Sequence, residues 1–199
     1  TISLIPNTLN QQIIGIEIVT SGLSTPFTVS GITVNANGTT NINDISNAKV
    51  FYTGTSPAFA LTSQFGSTIA SPTVANFDIT GTQILTNGTN YFWLTFDIKN
   101  TAVIGNYVDA ECIKITGNGT MGERTPTVTV PAGSRMIKGA LSGTYAIGTG
   151  LFNRITGKNL YPVELTRKVK VLVQEENPFE DVKQKIDAGN TEKVKSNEK

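Results

Sequence analysis

Short runs of alternating apolar and polar residues recur along positions 1–137, each closed by turn-forming residues. A period of two sends successive side chains to opposite faces of a β-strand, so the pattern predicts a series of short strands. Gln12 to Thr20 carries Ile14, Ile16 and Ile18 on one face and Gly15 and Glu17 on the other. Phe27 to Val34 follows the Ser24-Thr25-Pro26 break, Ala48 to Thr53 ends at Gly54, and Val74 to Thr80 ends at Gly81. Asn90 to Lys99 is the clearest strand. Phe92, Leu94, Phe96 and Ile98 form its core face, and Tyr91, Trp93, Thr95 and Asp97 form the other. In Tyr107 to Thr116 the apolar positions change face between Cys112 and Ile113, which a β-bulge near Cys112 reconciles. Thr125 to Ile137 reads as a last strand, placed at a sheet edge by Pro126 and Pro131.

Three Asn-Gly-Thr triplets begin at Asn37, Asn87 and Asn118. Asn-Gly suits a type I′ hairpin turn, in which both central residues need φ > 0. The triplets also fit the N-glycosylation pattern, but turn chemistry accounts for them. Strands at this spacing predict an all-β fold over residues 1–137, an antiparallel β-sandwich of the immunoglobulin-like or jelly-roll type, with a short C-terminal extension.

Beyond Arg135 the pattern changes. Residues 138–174 read as a Gly-rich connector and one extra strand, in which Lys168 and Lys170 alternate with Val169, Val171 and Val173. That alternation suits a blunted edge strand, or a strand that pairs with another domain or another copy by strand addition. Residues 175–199 are charged and poor in apolar residues, which predicts a largely disordered or weakly helical tail, with Asp181 to Ile186 its best helical stretch.

Composition agrees with strands and turns. Charged residues make up 16% of the chain, against about 25% on average, and Thr, Asn, Gly and Ser fill the difference. A net charge of +1 gives no field toward nucleic acid or membrane. No apolar run reaches the roughly 18 residues of a membrane helix. The sequence opens in polar, strand-like residues, as expected of a chain whose signal peptide was removed or which is part of a larger protein. Cys112 stands alone, so no intrachain disulfide forms, and its apolar neighbours mark it as a small buried hydrophobe.

Candidate chemistry is sparse. The chain has no histidine, which removes Ser-His triads and most zinc sites. Asp97, Asp109 and Glu111 lie on or beside strands, where a glycosidase pair would need its carboxylates, but they read foremost as solvent-face strand residues flanking turns. Asn41, Asn43 and Asp44 form an oxygen-rich loop suited to calcium, or to turns in which Asx side chains bond their own backbone. No other cofactor is expected. Tyr91 and Trp93 read either as a sugar-stacking platform on the non-core face or as packing under a covering layer.

The ordered pieces Gly31-Ile32-Thr33-Val34, Asn37-Gly38-Thr39-Thr40, Asp44 to Ser56, Phe65-Gly66, Gly81-Thr82-Gln83, Gly88 to Ile98, Asp109-Ala110-Glu111 and Pro131 to Arg135 resemble the N-terminal domain found beside Asp-box (BNR) repeats in neuraminidase-like proteins, a domain that recurs in secreted proteins of Bacteroidetes-type bacteria. The resemblance covers about residues 10–137. It implies a β-sandwich accessory module, extracellular or on the bacterial cell surface, and not the catalytic propeller. The chain has no Asp-box, so sialidase activity is not carried over. Ser142 to Gly148 is similar to a Gly-Thr-Tyr-x-Ile-Gly start that follows such domains, although here a charged tail soon replaces the expected β-rich domain. The sequence therefore reads as a non-enzymatic structural, adhesive or interaction module whose partners are protein domains or further copies. The alternative is a carbohydrate-binding accessory module that meets glycans through Tyr91 and Trp93.

Overall fold

A computed structural model describes residues 3–22 and 26–139, together with the backbone of three later strands. The strands are β1 Thr8–Ser21, β2 Thr28–Asn35, β3 Ile45–Tyr52, β4 Ser63–Ala70, β5 Phe77–Ile84, β6 Gly88–Ile98, β7 Tyr107–Val108, β8 Glu111–Gly117, β9 Glu123–Arg124, β10 Arg135–Met136, β11 Tyr145–Ile147, β12 Gly150–Phe152 and β13 Lys168–Gln174. One sheet has the order β13-β1-β6-β3-β4 and a second the order β5-β2-β8-β9. β10 pairs with β7, and β11 with β12. All pairs are antiparallel except β1 with β13, which run parallel. The fold is a β-sandwich.

The core lies between the two sheets. Ile14, Ile16 and Ile18 of β1 meet Phe92, Leu94 and Phe96 of β6, while Ile32 and Val34 of β2 and Ile115 of β8 close from the other side. Phe92 is fully buried and packs against Tyr52 and Phe65 at ring distances of 4.7 and 5.6 Å. The alternation read from Phe92 to Ile98 is thus the inner face of the central strand. The bulge expected near Cys112 is present: Thr33 pairs with Lys114 and Val34 with Cys112, which leaves Ile113 as the extra residue.

Three expectations change. β2 and β3 lie in different sheets, as do β5 and β6, so Asn37-Gly38 and Asn87-Gly88 carry the chain between sheets and do not close hairpins. Only the Asn118 segment connects paired neighbours, β8 and β9. Nor are these turns type I′. Gly38, Gly88 and Gly119 have φ of +84°, +96° and +55°, but no Asn of the triplets has positive φ. At the first, the Thr39 amide donates to the Ala36 carbonyl across Asn37 and Gly38, which gives the type II pattern with glycine third. Finally, Thr125 to Ile137 is not a continuous strand. Only Arg135–Met136 pairs as one, and in the proline-bounded stretch before it the Thr129 carbonyl accepts from the Cys112 amide of β8.

The sandwich closes along one side where β4 approaches β5. Gly66 has φ +67°, and a Cβ there would lie 2.2 Å from the Thr80 carbonyl oxygen. Only glycine tolerates both the backbone angle and the contact. The Asp181 to Ile186 stretch and the charged tail lie outside the described residues.

Candidate functional site

The outer face of β6 holds the most unusual chemistry. Register places Trp93 between Gly15 of β1 and Phe51 of β3, Thr95 between Gln12 and Lys49, and Asp97 beside Asn47. An outer sheet face is ordinarily wet, yet Trp93 is 1% exposed and Asp97 2%. The 53–62 loop supplies the aromatic part of the cover. It is tied down by Thr53 N to the Tyr91 carbonyl (3.0 Å), Tyr91 N to the Gly54 carbonyl (2.9 Å) and Thr62 Oγ1 to the Tyr52 carbonyl (3.1 Å). Phe59 of this loop meets Trp93 edge-on at 6.0 Å, and Tyr91 stacks on it at 6.2 Å. Trp93 Nε1 donates to Thr53 Oγ1 at 2.8 Å, so the one polar atom of the indole is satisfied inside. Trp93 therefore presents no open ring face, which agrees with the second of its two readings, packing under a covering layer. Burial, and then the charge of Glu17, raise the Tyr91 phenol above its ordinary range.

Asp97 is the centre of a polar knot. Its Oδ1 accepts from the Asn10 amide (2.7 Å), and its Oδ2 accepts from Lys49 Nζ (2.7 Å) and Asn47 Nδ2 (2.9 Å). Lys49 Nζ also donates to Asn10 Oδ1 at 2.9 Å. Burial pushes the Asp97 carboxyl up, but the hydrogen bonds from Lys49, Asn10 and Asn47 and the charge of Lys49 outweigh it and hold the group below its ordinary range. Asn10 adopts φ +53° at the irregularity in β1, which points its amide at Asp97. The Nε2 atom of Gln12 is buried without a hydrogen-bond partner among the described residues.

The other carboxylates lie apart from Asp97. Asp97 belongs to the five-stranded sheet, whereas Glu111 opens β8 of the four-stranded one. Glu111 accepts from Asn35 and Asn37, both at 2.9 Å, and Asp109 Oδ1 takes the Ala110 amide at 2.7 Å. Asp97 thus belongs to a buried ion pair with Lys49 on the five-stranded sheet.

The Asn41–Asp44 loop is likewise built for the chain's own donors. Asn41 caps a short 3-10 turn by accepting the Asn43 amide at 3.1 Å. Asp44, 2% exposed, accepts the Val103 amide at Oδ1 (3.1 Å) and Asn106 Nδ2 at Oδ2 (2.7 Å). These oxygens hold the 102–106 loop, and among the described residues no cluster of three or more His, Cys, Asp or Glu could hold a metal ion. Sequence reasoning missed this role because Val103 and Asn106 are distant in the chain.

The edge of β1 is the remaining candidate. Gly15 to Ser21 pairs in parallel with Lys168 to Gln174. The register sets Val169 opposite Ile16, Val171 opposite Ile18 and Val173 opposite Thr20, and it sets Lys170 opposite Glu17. The apolar positions of the added strand therefore follow the core-facing positions of β1, and the strand lies at the sheet edge, as its alternating lysines foretell.

Residues 4–120 match the N-terminal domain of BNR-repeat neuraminidase. The chain belongs to this family. The match to this BNR-associated domain takes in both sheets as far as β8 and stops far short of β13, so the strand that covers the β1 edge comes from outside the matched region. No curated protein matches the sequence. Among solved structures, the Hadza microbial sialidase Hz136 is similar at 15% identity and a TM-score of 0.49, over 69% of this chain. The chain spans 29% of that sialidase's length. Among the described residues of this BNR-associated domain, no helix is long and apolar enough to cross a membrane.

Proposed function

We propose that this BNR-associated domain is a non-catalytic accessory module of a sialidase-like bacterial protein, secreted or displayed on the cell surface, and that it joins other domains or copies by strand addition at the edge of β1. Family membership supports the accessory role. What supports the assembly reading is the β1–β13 register: within one chain a strand from beyond the matched region completes the sheet with its valines opposite buried positions, and β13 of another copy taking the same place would join two chains. Main-chain hydrogen bonds along such an edge supply affinity, and the alternate side chains supply register.

Removal of residues 160–199 tests this reading. The full chain is expected to elute from a sizing column as a defined assembly and the truncated chain as a monomer. Identical elution of the two would sink the assembly reading. Hydrolysis of sialoside or generic glycoside substrates by the purified chain would contradict the non-catalytic role.

A further inference from the structure

A second surface, away from the β1 edge, lies where the chain leaves the sandwich. Leu4 bridges Ile137 in parallel, the Lys138 amide donates to the Leu4 carbonyl (2.8 Å), and the Gly105 amide donates to the Ile137 carbonyl (2.9 Å). With β7 paired to β10, these segments form a small sheet. Its inner positions Leu4, Val108, Arg135 and Ile137 are buried. The alternate positions include Ile5 and Tyr107, at 40% and 41% exposure. Ser3, Tyr107, Ser134, Met136 and Lys138 line a groove of about 350 Å³. Beside it stands Ile104, 63% exposed, on the loop that Asp44 holds. Its Cδ1 lies 3.3 Å from where a Cβ of Gly139 would be. Single exposed apolar residues are ordinary, but several around a groove mark a contact surface.

We propose that this face seats the chain's own hairpin, β11 with β12. The tether argues for this occupant. Five residues separate Gly139 from Tyr145, so the start of the hairpin lies at most about 20 Å from the groove. Two paired strands this short do not hold together alone in water and need an apolar surface to pack on. Five of their six residues are apolar: Tyr145, Ala146, Ile147, Leu151 and Phe152. Docking there fixes the direction in which the following chain leaves, and so couples this domain rigidly to what comes next.

Hydrogen–deuterium exchange of the full chain tests the proposal. The amides of 145–152 are expected to be protected in the unaltered protein and to lose roughly tenfold or more of that protection in Ile104→Asp, as when one buried apolar contact is lost. Tyr107→Ser should act in the same direction, and β6 amides should stay unchanged in both variants. Hairpin amides that exchange as in a free peptide, or that are protected equally in all three proteins, would overturn the proposal. Protection that rises with protein concentration would also overturn it, because it assigns the face to a second copy.

Discussion

Asp97 shows what a single position owes to its neighbours. In the sequence it is one more polar residue on the outer side of a strand. In the fold it is closed over, and Lys49 supplies the compensating charge at 2.7 Å. Removing one member of a buried pair leaves the other uncompensated, so Lys49→Met should cost about 3–5 kcal/mol in urea unfolding. The same group sets an acid limit. Its folded pKa is depressed, so its stabilisation is fully present above the unfolded carboxyl value, about 3.9, and is lost as pH falls through the lower folded value. Stability of the unaltered chain should therefore fall below about pH 4, and Asp97→Asn should flatten that part of the curve. Cys112 is a simpler case: burial pushes its thiol up to about 12. It should resist alkylating reagents at pH 8 in the folded protein and react only on unfolding, as a thiol count will show. At Gly66, positive φ and the Thr80 carbonyl leave no room for a side chain. Gly66→Ala should cost about 2 kcal/mol or more in the same unfolding assay.

Elements were legible where residue type alternated cleanly along the strand. β1, β6 and β13 carry clean alternation, and each is a strand in the structure. β4, Ser63–Ala70, was not legible. Phe65 is its one buried residue, and an exposed edge strand with so little apolar content leaves no period to read. The opposite error arose at Thr125 to Ile137, where Val128 and Val130 alternate with threonine but remain exposed. Trp93 was legible only as two alternatives, platform or packing. Its burial depends on the 53–62 loop, and nothing in local alternation shows where a loop will fold back. The β13 register also makes an element-scale prediction. Val171→Lys places a charge at the position opposite Ile18, a core residue. That strand should then detach, and limited proteolysis should cut within 168–174 in the variant while sparing β6.

At the scale of the whole molecule, the Asn-Gly pairs marked three turns, but only the Asn118 turn joins strands that pair with each other. Local turn chemistry fixes a change of direction but not which sheet the next strand joins. That choice is made by packing across the core between β1, β6, β2 and β8. The completed sandwich closes on the β4–β5 side through Gly66 and Gly81. On the other side it finishes the β1 edge with a strand from beyond the family's domain. Assembly is proposed at this edge, with β13 of one copy taking the place of β13 in another. Cysteine trapping tests it directly: Glu17→Cys in one preparation and Lys170→Cys in another, mixed and oxidised, with buried Cys112 silent. Because these positions face each other in the parallel register, strand exchange between copies should give a covalent dimer that needs both variants. A mixture that yields no such dimer, while the double variant closes readily within one chain, would contradict assembly through this edge.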